Sequence, residues 1–158
     1  MVNKIISGGQ TGADRAALDV AIKLGISHGG WIPKGRLTEN GMLNDKYHLK
    51  EMETANYNKR TEQNVIDSDG TLIISHGKLT GGSDYTLDMV LRHGRPWLHI
   101  DLNKIESIQA ARQIRSWFEE HEIEVLNIAG PRASKDSAIY QATVDILETA
   151  FCRDNLST

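Results

Sequence analysis

Apolar positions along this chain follow two periods. Short runs of aliphatic and β-branched residues at Lys4–Ser7, Thr71–Ser75, Trp97–Asp101 and Val125–Ala129 predict strands. Ala16–Leu24, directly after the first run, is helix-compatible, and another helix opens around Arg60–Asn64. Ile105, Ile108, Ala111, Ile114 and Phe118 share one helical face. Ile139, Ala142, Thr143, Ile146, Leu147, Ala150 and Phe151 form a longer stripe at i, i+3, i+4, i+7 spacing. Strands alternating with helices predict an α/β fold whose mostly parallel central sheet is covered on both faces. No internal repeat, low-complexity tract or linker interrupts the pattern, so residues 1–158 read as one domain. Trp97 is expected in its core. The stretch from His28 to Asn58, rich in Gly, Asn and charge, reads as a short strand within a long loop.

A parallel sheet of this kind binds ligands at the carboxyl ends of its strands. Three junctions there are chemically alike. Gly8-Gly9-Gln10-Thr11-Gly12 follows the first strand, and His76-Gly77-Lys78-Leu79-Thr80-Gly81-Gly82-Ser83 follows the second. Gly130-Pro131-Arg132-Ala133-Ser134 precedes the last helix. Glycines let backbone N–H groups approach a ligand closely, and a helix N-terminus favours negative charge. Any one junction can be a tight turn and no more. Three together, with hydroxyls on Thr11, Ser83, Thr86 and Ser134, predict a crevice for an anionic small molecule.

The first junction lacks the signatures of two common nucleotide sites. Ser7 stands where the dinucleotide fingerprint has its first glycine, and the region expected to carry the ribose-binding acid reads Trp31-Ile32-Pro33-Lys34-Gly35-Arg36. No NAD is expected. A phosphate-binding P-loop would need a lysine after Gly12, where Ala13-Asp14 stands.

Charged residues near the junctions supply candidate ligand contacts. Arg15, Lys34, Arg36, Arg60 and Arg132 lie at or near predicted strand ends or helix starts, and guanidinium groups pair with phosphate through two hydrogen bonds. Asp14 and Asp84, inside the glycine loops, could cap a helix, accept from a sugar or pterin, or act as a general base.

Composition narrows the partners. A net charge of −3 disfavours broad binding to nucleic acid or an anionic membrane, and no stretch approaches a membrane span. The single Cys152 cannot form an internal disulfide, which fits a cytoplasmic location, and it is expected to be half-buried. Six scattered histidines show no metal-ligand spacing, and there is no G-x-S-x-G elbow, so neither a metal site nor a catalytic nucleophile is expected.

Five segments together carry a family resemblance: Ser-Gly-Gly-Gln-Thr-Gly-Ala-Asp-Arg at 7–15, Pro-Lys-Gly-Arg at 33–36, Arg-Thr-Glu-x-Asn-Val at 60–65, Gly-x-x-x-Gly-Gly-Ser at 77–83 and Ala-Gly-Pro-Arg at 129–132. They resemble the molybdenum-cofactor carrier family, a circularly permuted YpsA-like branch of the SLOG superfamily, whose Rossmann-like members include the Lonely Guy and DprA proteins. The resemblance runs from Ile5 to about Phe151. It implies a three-layer αβα Rossmann-like domain, often a homo-oligomer (dimer or tetramer), that holds molybdenum cofactor or a nucleotide-like ligand. It places ligand contacts at Gly8, Gly9, Gln10, Thr11, Gly12 and Arg15, at Gly81, Gly82 and Ser83, and at Gly130, Pro131 and Arg132. Asp14, Lys34, Arg36, Arg60, Asn64 and Thr86 join the candidate contacts through their own charge and hydrogen-bonding groups. A carrier of such a phosphorylated molecule would lose binding but keep its fold in Arg132→Ala or Gly9→Val.

The alternative is a hydrolase of the Lonely Guy type, which cleaves the N-glycosidic bond of nucleoside monophosphates. Thr80-Gly81-Gly82-Ser83-Asp84-Tyr85-Thr86-Leu87-Asp88 departs from that motif: it lacks the third glycine, shifts the threonine and has no matching glutamate. A DprA-like single-strand DNA binder needs a basic groove with stacking aromatics. Three Trp, four Tyr and two Phe on a negatively charged chain fit it poorly.

Overall fold

The computed structural model describes residues 1–152. β1 (Lys4–Ile6) leads through a glycine loop into α1 (Ala13–Leu24) and then β2 (Ser27–Gly29). Four two-residue strands follow: β3 (Trp31–Ile32), β4 (Leu37–Thr38), β5 (Gly41–Met42) and β6 (Lys50–Glu51). α2 (Tyr57–Ile66), β7 (Gly70–Ser75), α3 (Gly81–Arg92), β8 (Trp97–Asp101), α4 (Ser107–Glu120), β9 (Val125–Ala129) and α5 (Ile139–Phe151) complete the order.

The five longer-range strands form one parallel sheet in the order β2-β1-β9-β7-β8. Counted from β9 instead of β1, the same sheet reads 3-2-1-4-5, the order of a nucleotide-binding Rossmann sheet. The chain therefore begins on the second strand of that arrangement and reaches its central strand last. From β1 it winds outward one way, and from β7 the other. The crevice at the reversal opens over the carboxyl ends of β1, β9 and β7.

Strand alternation divides the core between two layers. Ile5, Leu72, Ile74, Ile100, Leu126 and Ile128 meet Ala13, Ala17, Val20 and Ala21 of α1, Ala110, Ala111 and Ile114 of α4, and Ile146 and Leu147 of α5. The alanines let the helices sit close to the sheet. Burying each large aliphatic side chain contributes about 1.5–3 kcal/mol. On the other side α2 and α3 pack through Val65, Met89 and Val90. There the sheet carries buried polar groups: Asn127 Nδ2 donates to Thr71 Oγ1 at 3.2 Å. β3 pairs with β6 and β4 with β5 outside the main sheet, above a separate cluster of Leu18, Ile32, Leu43, Tyr47 and Leu49.

Three local expectations change. α1 starts three residues before Ala16, because Gly12 already turns the chain into the helix. It ends at Gly25, whose left-handed φ of 69° lets Ile26 N–H donate back to Ala21 O at 2.9 Å. Trp97 is 41% exposed, since it opens the edge strand β8 and lacks a neighbour on one side. Cys152, just beyond α5, is exposed rather than half-buried. Among the described residues no helix is long and apolar enough to cross a membrane.

Candidate functional site

Two glycine loops meet at the crevice. Gly9 and Gly12 adopt φ of 74° and 79°, the left-handed region that glycine enters without steric cost. A Cβ on Gly12 would fall 2.3 Å from Pro131 O, so the β1–α1 loop meets the β9–α5 loop backbone against backbone at this point. Ala13 N–H donates to Pro131 O at 3.2 Å and seals the contact. A Cβ on Gly9 would lie 2.9 Å from Leu49 Cδ2 and 3.2 Å from Leu43 Cδ2. Gly9 is thus pressed into the second apolar cluster, and a valine there would damage the fold itself. This corrects the expectation that Gly9→Val loses only the ligand.

Between α2 and α3, over the ends of β1 and β9, lies a cleft of about 280 Å³. Eleven of the residues expected from sequence line it: Gly8, Gln10, Asp14, Arg60, Asn64, Gly82, Ser83, Thr86, Gly130, Pro131 and Arg132. Tyr57, Thr80, Asn127 and Lys135 line it too and were not foreseen. Asn127 had a usable signal, a lone amide in an otherwise apolar strand. Lys135 had none, because its position depends on how the 130–138 loop folds back over α3. A second basin of about 450 Å³ adjoins the cleft past Thr80, Ser83, Pro131 and Lys135, where His76 Nδ1 and Asp136 Oδ2 are 2.6 Å apart.

The charges in the cleft are arranged for an anion. Arg60 is buried, and its Nη1 donates to Gly8 O at 2.6 Å. That is its single protein acceptor among the described residues, and no carboxylate pairs with it. Burial lowers its pKa, while the Asp14 and Tyr57 groups oppose the shift. Lys135 likewise forms no ion pair among the described residues, and a Cβ on Gly81 would sit 2.6 Å from its Nζ. The lysine therefore stands over the start of α3. Thr80 gives that helix no side-chain cap, and Ser83 and Asp84 N–H turn back to Thr80 O at 3.2 and 3.4 Å. The N–H groups of Gly81 and Gly82 keep no protein acceptor among the described residues. Unsatisfied N–H groups, a helix dipole and two cations together can neutralise a phosphoryl group.

Asp14 sets the opposite sign beside them. Burial pushes its carboxyl up to about 6, against the lowering influence of Arg60, the Gln10 N–H, Arg15 and the Gly8 N–H. It does not cap α1; its Oδ2 accepts from Gln10 N–H at 3.3 Å instead. Asp84 is exposed in the first turn of α3 and lines neither cavity, so it favours the helix start and no more.

The remaining expected contacts lie outside the cleft or have their polar groups committed within the protein. Arg15 holds Gly9 O through Nη2 at 3.1 Å, with its guanidinium over the Tyr47 ring. Arg36, φ 55°, donates to the carbonyls of Leu43, Asn44, Tyr47 and Leu49 at 3.0–3.4 Å. It organises the 43–49 loop and faces no anion. Lys34 is exposed outside the cleft. Asn64 borders the cleft, yet its amide is committed to Trp31, accepting from N–H at 2.8 Å and donating to O at 3.2 Å. Thr86 Oγ1 donates to Gly82 O at 2.9 Å within α3. The Thr11 hydroxyl points to the rim, where it meets Glu39. Gly81 lies at the mouth, under Lys135. Among the described residues no three His, Cys, Asp or Glu side chains gather as metal ligands.

The profile of the circularly permutated YpsA SLOG family matches residues 5–151. The chain belongs to that family. A 3-2-1-4-5 sheet entered at its second strand is consistent with the permutation in that family's description. A crystal structure from Syntrophus aciditrophicus SB, of a protein named "Putative molybdenum carrier protein", shares 60% identity with this member over 96% of both chains, with a TM-score of 0.95. No curated protein matches the sequence.

Proposed function

We propose that this SLOG-family protein is a cytoplasmic carrier that holds a phosphorylated small molecule in the cleft, with molybdenum cofactor as its cargo. One observation carries the reading. Arg60 and Lys135, neither paired with a carboxylate among the described residues, border the same cleft as the uncapped start of α3. Cations that form no ion pair among the described residues, set over free N–H groups, suit a phosphate monoester. The amides and carboxyl of Gln10, Asn127 and Asp14 suit the hydrogen-bonding edge of a pterin, and the Tyr57 ring offers an apolar face. The name of the Syntrophus protein, a molybdenum carrier, supports a cargo that contains molybdenum. Mass spectrometry, with pterin fluorescence after oxidation, on material released from natively purified protein tests it. A phosphorylated pterin, absent from Lys135→Ala, is expected. A nucleotide in its place would overturn the cargo assignment.

Asp14 favours a second reading, hydrolysis of the N-glycosidic bond of a nucleoside monophosphate. A carboxyl near 6 can carry a proton at neutral pH and serve as general acid or base. That reading requires release of free base from some nucleoside monophosphate and its loss in Asp14→Asn.

A further inference from the structure

Glu39 sits on the turn between β4 and β5 and reaches across both glycine loops. Its Oε1 accepts from the Thr11 hydroxyl and from Ser134 N–H at 3.1 Å, and its Oε2 accepts from the Ser134 hydroxyl at 2.6 Å. Arg132 Nε lies 3.9 Å from Oε2. Thr11 Oγ1 in turn accepts from Ala133 N–H at 3.1 Å. Two hydroxyls, a backbone N–H and a guanidinium, drawn from the two loops that line the cleft, form a donor set for an oxyanion. In this structure the oxyanion they hold is the protein's own carboxylate.

The hairpin that delivers Glu39 is self-contained. Thr38 Oγ1 donates to Gly41 O at 2.8 Å and accepts from Asn40 N–H at 3.2 Å, closing the turn internally. Leu37 and Met42, its cross-strand pair, are 55% and 70% exposed and bury little against the body. Apart from Thr38, the tip is tied down through polar groups: the carboxylate contacts and Glu39 N–H donating to Gln10 Oε1 at 3.0 Å. Such a unit can lift without unfolding.

We infer that Thr11, Ser134 and Arg132 form a second oxyanion subsite at the cleft rim, and that Glu39 is a displaceable internal occupant of it. The inference rests on the phosphate-binding reading above and extends it. The ligand class it names is a molecule with two anionic groups, one at Arg60 and Lys135 and the other taking the place of Glu39. The hairpin then works as a latch, and ligand affinity is reduced by the fraction of time Glu39 stays seated.

Titration with inorganic phosphate, followed by amide NMR, separates the two subsites. The Ser134 and Ala133 amides report the rim, and the Gly82 amide reports the site under Lys135. In Glu39→Gln and Glu39→Ala the rim amides should titrate at about tenfold lower phosphate than in the wild type, with the Gly82 midpoint unchanged. Rim midpoints equal to or weaker than wild type in both variants would overturn the subsite. Absence of any Gly82 response would instead overturn the phosphate reading of the inner cleft, and the rim amides would still decide the role of Glu39.

Discussion

Arg60 Nη1 donates to Gly8 O at 2.6 Å, and a Cβ built on Gly8 would fall 2.2 Å from that same nitrogen. The absence of a side chain at position 8 is what lets the second turn of α2 reach the end of β1. Gly8→Ala is therefore expected to push the guanidinium aside and break its one carbonyl contact. The cost should be about 1–3 kcal/mol in urea unfolding, with phosphate binding weakened as well. Wild-type stability and affinity in this variant would show that Arg60 does not depend on Gly8.

Asp14 gives the protein a pH dependence of unusual sign. Its folded pKa, about 6, lies above the ordinary 3.8, so the folded state holds a proton that the unfolded state has released. Its contribution to stability falls as pH rises between those values, by up to about 3 kcal/mol for a shift of this size. Unfolding free energies at pH 4 and pH 7 should show Asp14→Asn gaining on the wild type at the higher pH. An unchanged difference between the two proteins would remove the buried carboxyl from the account.

His28 acts in the opposite direction. His48 N–H donates to His28 Nε2 at 3.1 Å, and the two rings stack with centroids 5.3 Å apart. A protonated Nε2 cannot accept that bond, and burial, His48 and Lys4 all lower the His28 pKa below 6.5. Its stabilising contribution is present above the ordinary imidazole range and is lost as pH falls through the folded pKa. His28→Gln should flatten the loss of stability on acidification, read as the thermal midpoint between pH 7 and pH 5.

Arg36 and Lys34, neighbours in one motif, should behave differently. Removing the four carbonyl contacts in Arg36→Ala is expected to cost about 2–4 kcal/mol and to expose the 43–49 loop to proteolysis. Lys34→Ala should leave stability and ligand binding unchanged. Equal effects in the two variants would return Arg36 to the list of ligand contacts.

Legibility in the sequence followed burial. Thr71–Ser75 is buried at every position, so its apolar run announced a central strand, and the α5 stripe announced a helix covering the sheet. β2, Ser-His-Gly at a sheet edge, carries no apolar signal, and the sequence places only an unlocated short strand within the 28–58 loop. The glycine junctions pointed to the end of the sheet where the cleft opens, because a positive φ and a close backbone approach both require the missing side chain. What individual cations do was less legible. Arg36 satisfies carbonyls that come together only when the 43–49 loop folds, and Lys135 reaches α3 across a loop whose path no local pattern encodes.

The central claim is that Arg60, Lys135 and the start of α3 hold the phosphate of a small-molecule cargo. Electron density from crystals of natively purified, ligand-retaining protein tests it most directly. The account predicts a phosphoryl group within hydrogen-bonding reach of Arg60, Lys135 and the Gly82 N–H. A phosphorylated ligand seated anywhere else on the protein would contradict it.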